Sequence, residues 1–217
     1  MGKQTSAIGL ATTPTLDSTA AKYGWTDAGM VIQSTNGSVF NTIDPSVMQD
    51  RDGRLWLAFG SYWTGIYLTE LDARTGLRKA TNAPLYQLAW HDSIEAACLT
   101  RHDNYYYLFA NWGQCCQGTN STCEVRVGRS RKVVGPYLDQ AGGEMTVGGG
   151  NVFLGNEGRF VGPGHIGILP VAGQTWISYH THDAGYNGRS RLYIRQLNWT
   201  RNGWPVAGRP LAAVKNH

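Results

Sequence analysis

Two carboxylates in this sequence stand where acid–base chemistry could be done. Asp44 lies in NTIDPSV and Glu95 in SIEAAC, each at the head of a segment that alternates as a strand does. Two carboxyl groups converging in one aromatic cleft, one protonated and one ionised, are the usual equipment for breaking a glycosidic bond. Taken singly, each has a plainer reading. Asp44 precedes Pro45 and would serve as a cap or turn residue, and Glu95 would be a buried acid paired with an arginine. What separates the readings is whether strands far apart in sequence bring their heads together.

The pattern around the two acids is that of a repeated sheet. VMQD turns at Arg-Asp-Gly, runs on as RLWLAFGSY and returns as GIYLTELD before Arg-Thr-Gly, with Asp-Gly and Thr-Gly where hairpins need positive φ. IEAACLTRHDNYYYLFANW turns at His-Asp-Asn, and GHIGILPVAGQTWISYHTHD at Ala-Gly-Gln, each followed by further strand-like sequence. Units of about four strands, each with an acid or histidine at its head, are the sequence appearance of β-propeller blades. In a propeller the innermost strands converge on the axis, which would place Asp44 and Glu95 in one pocket. Three such units follow residues 1–40, which read as the last strands of another blade.

Bulk composition agrees with one all-β domain over residues 1–217. Charged residues are only 16% of the chain, while Gly reaches 28, Trp 8 and Tyr 11, as expected of short strands, glycine turns and aromatic side chains available to a ligand. The net charge of +4 is scattered, without the basic stripe that a nucleic acid requires. No apolar run approaches a membrane span, and MGKQTSAIGLATT lacks the apolar core of a signal peptide. Cys98, Cys115, Cys116 and Cys123 do not have zinc spacing and read as small buried side chains or one disulfide. Asn36, Asn120 and Asn198 begin Asn-X-Ser/Thr triplets of a kind that occurs by chance.

The segments IGLATTPTLD, WTDAGMVI, NTIDPSV, DGRLWLAFGSYWTGI, SIEAAC, CCQGTNST, VGRSRKVVGPYLD, GPGHIGI and NGWPVAG resemble, in this order, the family 43 glycoside hydrolases, most closely the endo-1,5-α-L-arabinanases. The resemblance implies a five-bladed β-propeller, an inverting mechanism, an arabinan or arabino-oligosaccharide substrate and an extracellular setting. It makes Glu95 the general acid, although the family usually has Pro where this chain has Ala97. Asp44 becomes the residue that tunes and orients that acid. His165 of GPGHIGI, by itself a satisfied core histidine, becomes the residue that helps to hold a central ion, commonly calcium, with water as most of the shell. Ser61 and Trp63 of GSYW, with Cys115, Cys116, Asn120 and Ser121, match substrate-cleft segments. Trp63 would stack on an arabinofuranose ring, whereas Trp90 and Trp112 are expected to pack between blades. His180 and His182 of SYHTHD lack a third ligand for a metal.

The same resemblance places the general base, an aspartate, in a first blade that this chain does not match. The expectation is therefore an N-terminally truncated arabinanase of doubtful activity, or an arabino-oligosaccharide-binding propeller. Exposed blade edges would favour a homo-oligomer, in which Asp17 or Asp27 of another copy would be the candidate base.

Overall fold

Alternation of period two runs through most of the chain. In the computed structural model, which describes residues 4–211, it becomes fourteen strands, with no α-helix among the described residues. β1 (Ser6–Thr12) and β2 (Thr26–Ser34) pair as an antiparallel ribbon. A four-stranded meander follows: β3 (Ser46–Gln49), β4 (Leu55–Phe59), β5 (Ile66–Leu71) and β6 (Tyr86–Ala89). The next consists of β7 (Glu95–His102), β8 (Tyr105–Trp112), β9 (Glu124–Ser130) and β10 (Asn151–Leu154). The last is β11 (Phe160–Val171), β12 (Gln174–Asp183), β13 (Arg189–Trp199) and β14 (Pro205–Pro210). The turns fall where the sequence places them. Gly53, Gly76, Asp103, Ala172 and Gly173 all have positive φ.

Alternate side chains of one strand serve different cores, which explains why strands such as LWLAF are apolar throughout. Trp56 and Ala58 of β4 face a cluster shared with Leu99, Leu108 and Ala110, while Leu57 and Phe59 face Ile8 and Ile32 of the ribbon. Likewise Leu108 and Ala110 of β8 face the first meander, while Tyr107 and Phe109 face Ile177 and Tyr179 of the last. The ribbon and the three meanders are thus stacked face to face in chain order, each inner sheet buried on both sides.

The first strands of the meanders meet at one edge. β7 lies against both β3 and β11, and the Leu99 N–H donates to Ser46 Oγ at 3.1 Å across the first of these junctions. A cavity of about 620 Å³ runs between the three strands, lined by residues such as Met48, Leu99, His165 and Ser178. Among the described residues no helix is long and apolar enough to cross a membrane.

Candidate active site

Asp44, Glu95 and His165 all stand on the three converging strands or at their heads. Glu95 opens β7 opposite Asn111 of β8, and the pairing register then shifts before Cys98. Asp44 precedes β3, and His165 lies where the β11–β12 register breaks between Gly164 and Gly167. Such bulges re-aim side chains and are common beside active sites. The backbone carries strain here as well. Asp44 (φ 56°), Ala96 (φ 54°) and His165 (φ 52°) occupy the left-handed region that non-glycine residues avoid, at an expected cost of roughly 1–3 kcal/mol each.

The plainer readings of the two acids do not describe what the side chains do. Asp44 Oδ2 accepts a hydrogen bond from the Ala96 N–H at 3.0 Å, so its carboxylate grips the acid's own segment rather than its own turn. No arginine pairs with Glu95 among the described residues. Burial and then the negative charge of Asp44 push the Glu95 carboxyl above its ordinary range, outweighing the Ser61 hydrogen bond and the His165 charge. The Ser61 hydroxyl donates to Glu95 Oε2 at 3.4 Å. Burial and the Asp44 charge both favour the protonated form of Glu95, and Asp44 is placed to contribute the second of these.

Two loops wall the acid. The Tyr62 N–H donates to the Ile94 carbonyl at 2.7 Å, tying GSYW to the residue before Glu95. Tyr62 and Trp63 both have positive φ, and only glycine fits at Gly60 and Gly65, where an added Cβ would meet carbonyl oxygens at 2.3 and 2.2 Å. Trp63 is half-buried, and its carbonyl accepts from the Trp90 indole at 3.1 Å. Trp90 is 38% exposed, so it braces the Trp63 loop at the surface instead of packing between sheets. Trp112 does pack internally, stacked on His91 at 4.2 Å.

The second loop is closed by a Cys115–Cys123 disulfide, which leaves Cys116 exposed and Cys98 buried, its thiol pushed up to about 11 mainly by burial. Asn120 is exposed, whereas Ser121 is buried and its Oγ accepts the Gln117 N–H at 3.0 Å. The loop rests on β11, where Gly162 leaves room for Ser121.

His165 is exposed at the cleft edge rather than being a core histidine, and its N–H donates to Asn111 Oδ1 at 3.0 Å. Among the described residues no group of three His, Cys, Asp or Glu forms a cation cage. Calcium takes six to eight oxygen ligands, so a cation here would have one imidazole and otherwise mainly water. His180 and His182 have ring centroids 5.8 Å apart, and His182 Nδ1 is engaged with the Gly188 carbonyl at 3.0 Å. Asp17 and Asp27 are exposed turn acceptors for the Thr19 and Gly29 N–H groups and are not among the charges that act on Glu95.

Residues 2–205 match the family of glycosyl hydrolases 43. The chain belongs to that family. An extracellular endo-alpha-(1->5)-L-arabinanase of Bacillus subtilis is 43% identical over 94% of this chain. An extracellular exo-alpha-(1->5)-L-arabinofuranosidase of Cellvibrio japonicus is 36% identical over 94%. The chain spans 61% and 62% of the length of these relatives. Among solved structures, the family 43 endo-arabinanase of Bacillus licheniformis superposes with a TM-score of 0.87 at 42% identity, covering 94% of this chain and 69% of that one. Cellvibrio cellulosa alpha-L-arabinanase complexed with arabinohexaose gives 0.86 at 36% identity, covering 93% and 68%.

For this family 43 chain, sequence reasoning missed two residues that the structure brings to the acid. Buried Asn111 sits across from Glu95, holds the His165 backbone and donates through Nδ2 to Cys115 Sγ at 3.7 Å. The Tyr62 phenol is raised by burial, then by Glu95 and Cys116, which places it between the two loops. An amide inside the apolar run YYYLFANW was the available signal, since a buried polar group needs partners.

Proposed function

We propose that this chain is a glycoside hydrolase that cleaves α-1,5-linked L-arabinofuranosyl bonds of arabinan with inversion. The observation that carries the reading is the Asp44–Glu95 arrangement, a carboxyl group pushed above its ordinary range by burial beside a carboxylate that accepts a hydrogen bond from the Ala96 N–H. Glu95 donates its proton to the departing glycosidic oxygen. Asp44 orients the acid and holds up its pKa. Trp63 offers an apolar ring face to one sugar, with Ser61, Cys115, Cys116, Asn120 and Ser121 along the cleft. The relatives support the substrate and an extracellular setting. Residues 1–217 are read as one propeller domain of the five-bladed type, with residues 1–40 the end of its second blade.

Inversion also needs an ionised carboxylate to take a proton from water, about 6.5–9.5 Å from the acid. Among the described residues the charges acting on Glu95 are those of Asp44 and His165, and Asp44 is engaged with the Ala96 N–H. That observation favours a second reading, in which the cleft binds arabino-oligosaccharide and cleaves it poorly unless another copy lends a carboxylate.

Reducing-sugar release from debranched arabinan, run beside Glu95→Gln, tests the enzyme reading. The substitution is expected to lower turnover by about 10²–10⁴. Inactive wild type that still gives binding heat with arabinohexaose selects the second reading, and absence of both activity and heat removes both. We also assign calcium, held by His165 and water, an electrostatic role beneath the sugar. Chelation is expected to lower the melting temperature of the wild type and not that of His165→Ala; equal responses would remove the ion.

A further inference from the structure

At the other end of β8 from Asn111, a cleft of about 450 Å³ opens between the second and third meanders. Its Tyr105 lies six residues from Asn111, so about 20 Å along the strand separates it from the Glu95 cleft. The volume falls within the range of roughly 300–1,000 Å³ that small-ligand sites occupy. Arg129, Arg131 and Lys132 line it together with Tyr105, Trp204 and Asp139.

Two of the cations are held in place, and among the described residues none of the three is neutralised by a carboxylate. The Arg129 guanidinium lies 4.4 Å from the Tyr105 ring and 4.5 Å from that of Trp204, and it donates to the Asn202 carbonyl at 2.6 Å. Arg131 donates to Tyr105 Oη at 2.9 Å and lies 4.7 Å from the same ring. Among the described residues none of the three cations is paired with a carboxylate within 4.0 Å. The one carboxylate in the cleft is turned into its own loop. Asp139 Oδ1 accepts from the Ala141 and Gly143 N–H groups, and Oδ2 from that of Gly150. Three fixed or rim cations therefore face an opening whose only anion is already satisfied.

The shape of this positive charge distinguishes among anions. A guanidinium lying on an aromatic ring presents its N–H edge as a planar fork, which matches a planar carboxylate. Phosphate sites commonly use a nest of backbone N–H groups, and here the nearby N–H groups are spent on Asp139. Arg131 is shared with an adjoining cavity of about 290 Å³, where Arg51, Arg54 and Arg101 are offset by Asp50, Asp52 and Asp103 and Arg54 is paired with Asp52 at 2.6 Å, so the unpaired positive charge is concentrated in the larger cleft. Cations grouped in one cleft suit a single carboxylate-bearing unit.

We propose that this cleft is a second carbohydrate site, one that binds a uronate unit of an oligosaccharide while the Glu95 cleft remains free. Only the choice of a sugar as carrier of the carboxylate rests on the glycoside-hydrolase reading; the anion site rests on the cleft alone.

Calorimetry of the full chain with trigalacturonate tests it, beside neutral cellotriose and inorganic phosphate. Arg131→Ala and Lys132→Glu change exposed side chains, and melting curves check that both variants fold. Trigalacturonate is expected to bind the wild type and Glu95→Gln alike, more weakly as salt rises. Loss of a charge-assisted contact is expected to weaken it about tenfold or more in each cleft variant, with release from debranched arabinan unchanged. No heat with trigalacturonate, equal affinity for cellotriose, equal affinity for phosphate, or variants that bind as the wild type does would each overturn the proposal. Trigalacturonate binding by a chain that leaves arabinan intact would support the cleft and count against the hydrolase reading.

Discussion

Glu95 is raised by two causes of different origin, and they can be separated. Burial is the larger and Asp44 the second. Asp44→Asn keeps an acceptor for the Ala96 N–H and removes only the charge. The Glu95 pKa then falls toward its ordinary value without reaching it, because burial remains. A general acid works while protonated, so a lower pKa means loss of the working form at lower pH. The alkaline limb of the kcat/KM profile on arabino-oligosaccharide is therefore expected to move to lower pH in Asp44→Asn. A limb that stays in place would show that Asp44 acts by position alone. The same shift bears on stability with a definite sign. The folded chain binds the Glu95 proton more tightly than the unfolded one, so stability falls as pH rises between the two pKa values and is unaffected below both. Asp44 and Glu95 were legible in sequence because each opens a strand within a distinctive string. Asn111 and Tyr62 were not, because only strand pairing and a loop hydrogen bond bring them to the acid.

Strands were legible wherever alternation met turn chemistry, as at Gly53 and Asp103, but a loop without period is specified by its contacts. The segment from Cys115 to Cys123 is such a loop. Three of the four cysteines fall in it, and sequence alone does not choose the pair. The structure chooses Cys115 and Cys123, whose Cα atoms are 5.2 Å apart. The loop then packs by backbone approach. Gly188 has positive φ (70°), and a Cβ there would lie 2.9 Å from the Thr119 nitrogen. A bond across a separation of eight residues closes a small loop and is worth about 2–3 kcal/mol by chain entropy. Cys115→Ser is expected to lower the melting temperature by roughly 4–10 °C for a domain of this size, and a reductant should lower the wild type similarly. Cys115→Ser also removes the sulfur that Asn111 Nδ2 contacts, so arabino-oligosaccharide binding should weaken in the variant by more than stability explains. Unchanged melting in both experiments would mean that packing on β11 holds the loop unaided.

The stacking of ribbon and meanders follows from strands that are apolar on both faces, but a sequence does not say which face of the last meander has no sheet packed on it among the described residues. Pairing register settles it. Leu169 is opposite Trp176, Ile194 opposite Ser178 and Leu192 opposite His180, so these residues share the face turned away from Ile177 and Tyr179. On that face Leu169 is 61%, Leu192 72% and Ile194 38% exposed. Exposed apolar side chains grouped on one sheet face, here interspersed with Ser178 and His180, offer an association surface. A second copy is the occupant that every solution of this protein contains. Light scattering at high protein concentration is expected to give a mass above the 23.8 kDa of the single chain. Leu192→Lys places a charge on the face without touching the core, and it is expected to return the mass to that of one chain. If the associated wild type alone releases sugar from arabinan and the dispersed variant still binds arabinohexaose, the carboxylate that acts as base belongs to the interface. A wild type that stays at the mass of one chain would end the case for a shared site and leave the Glu95 cleft to act with its own residues.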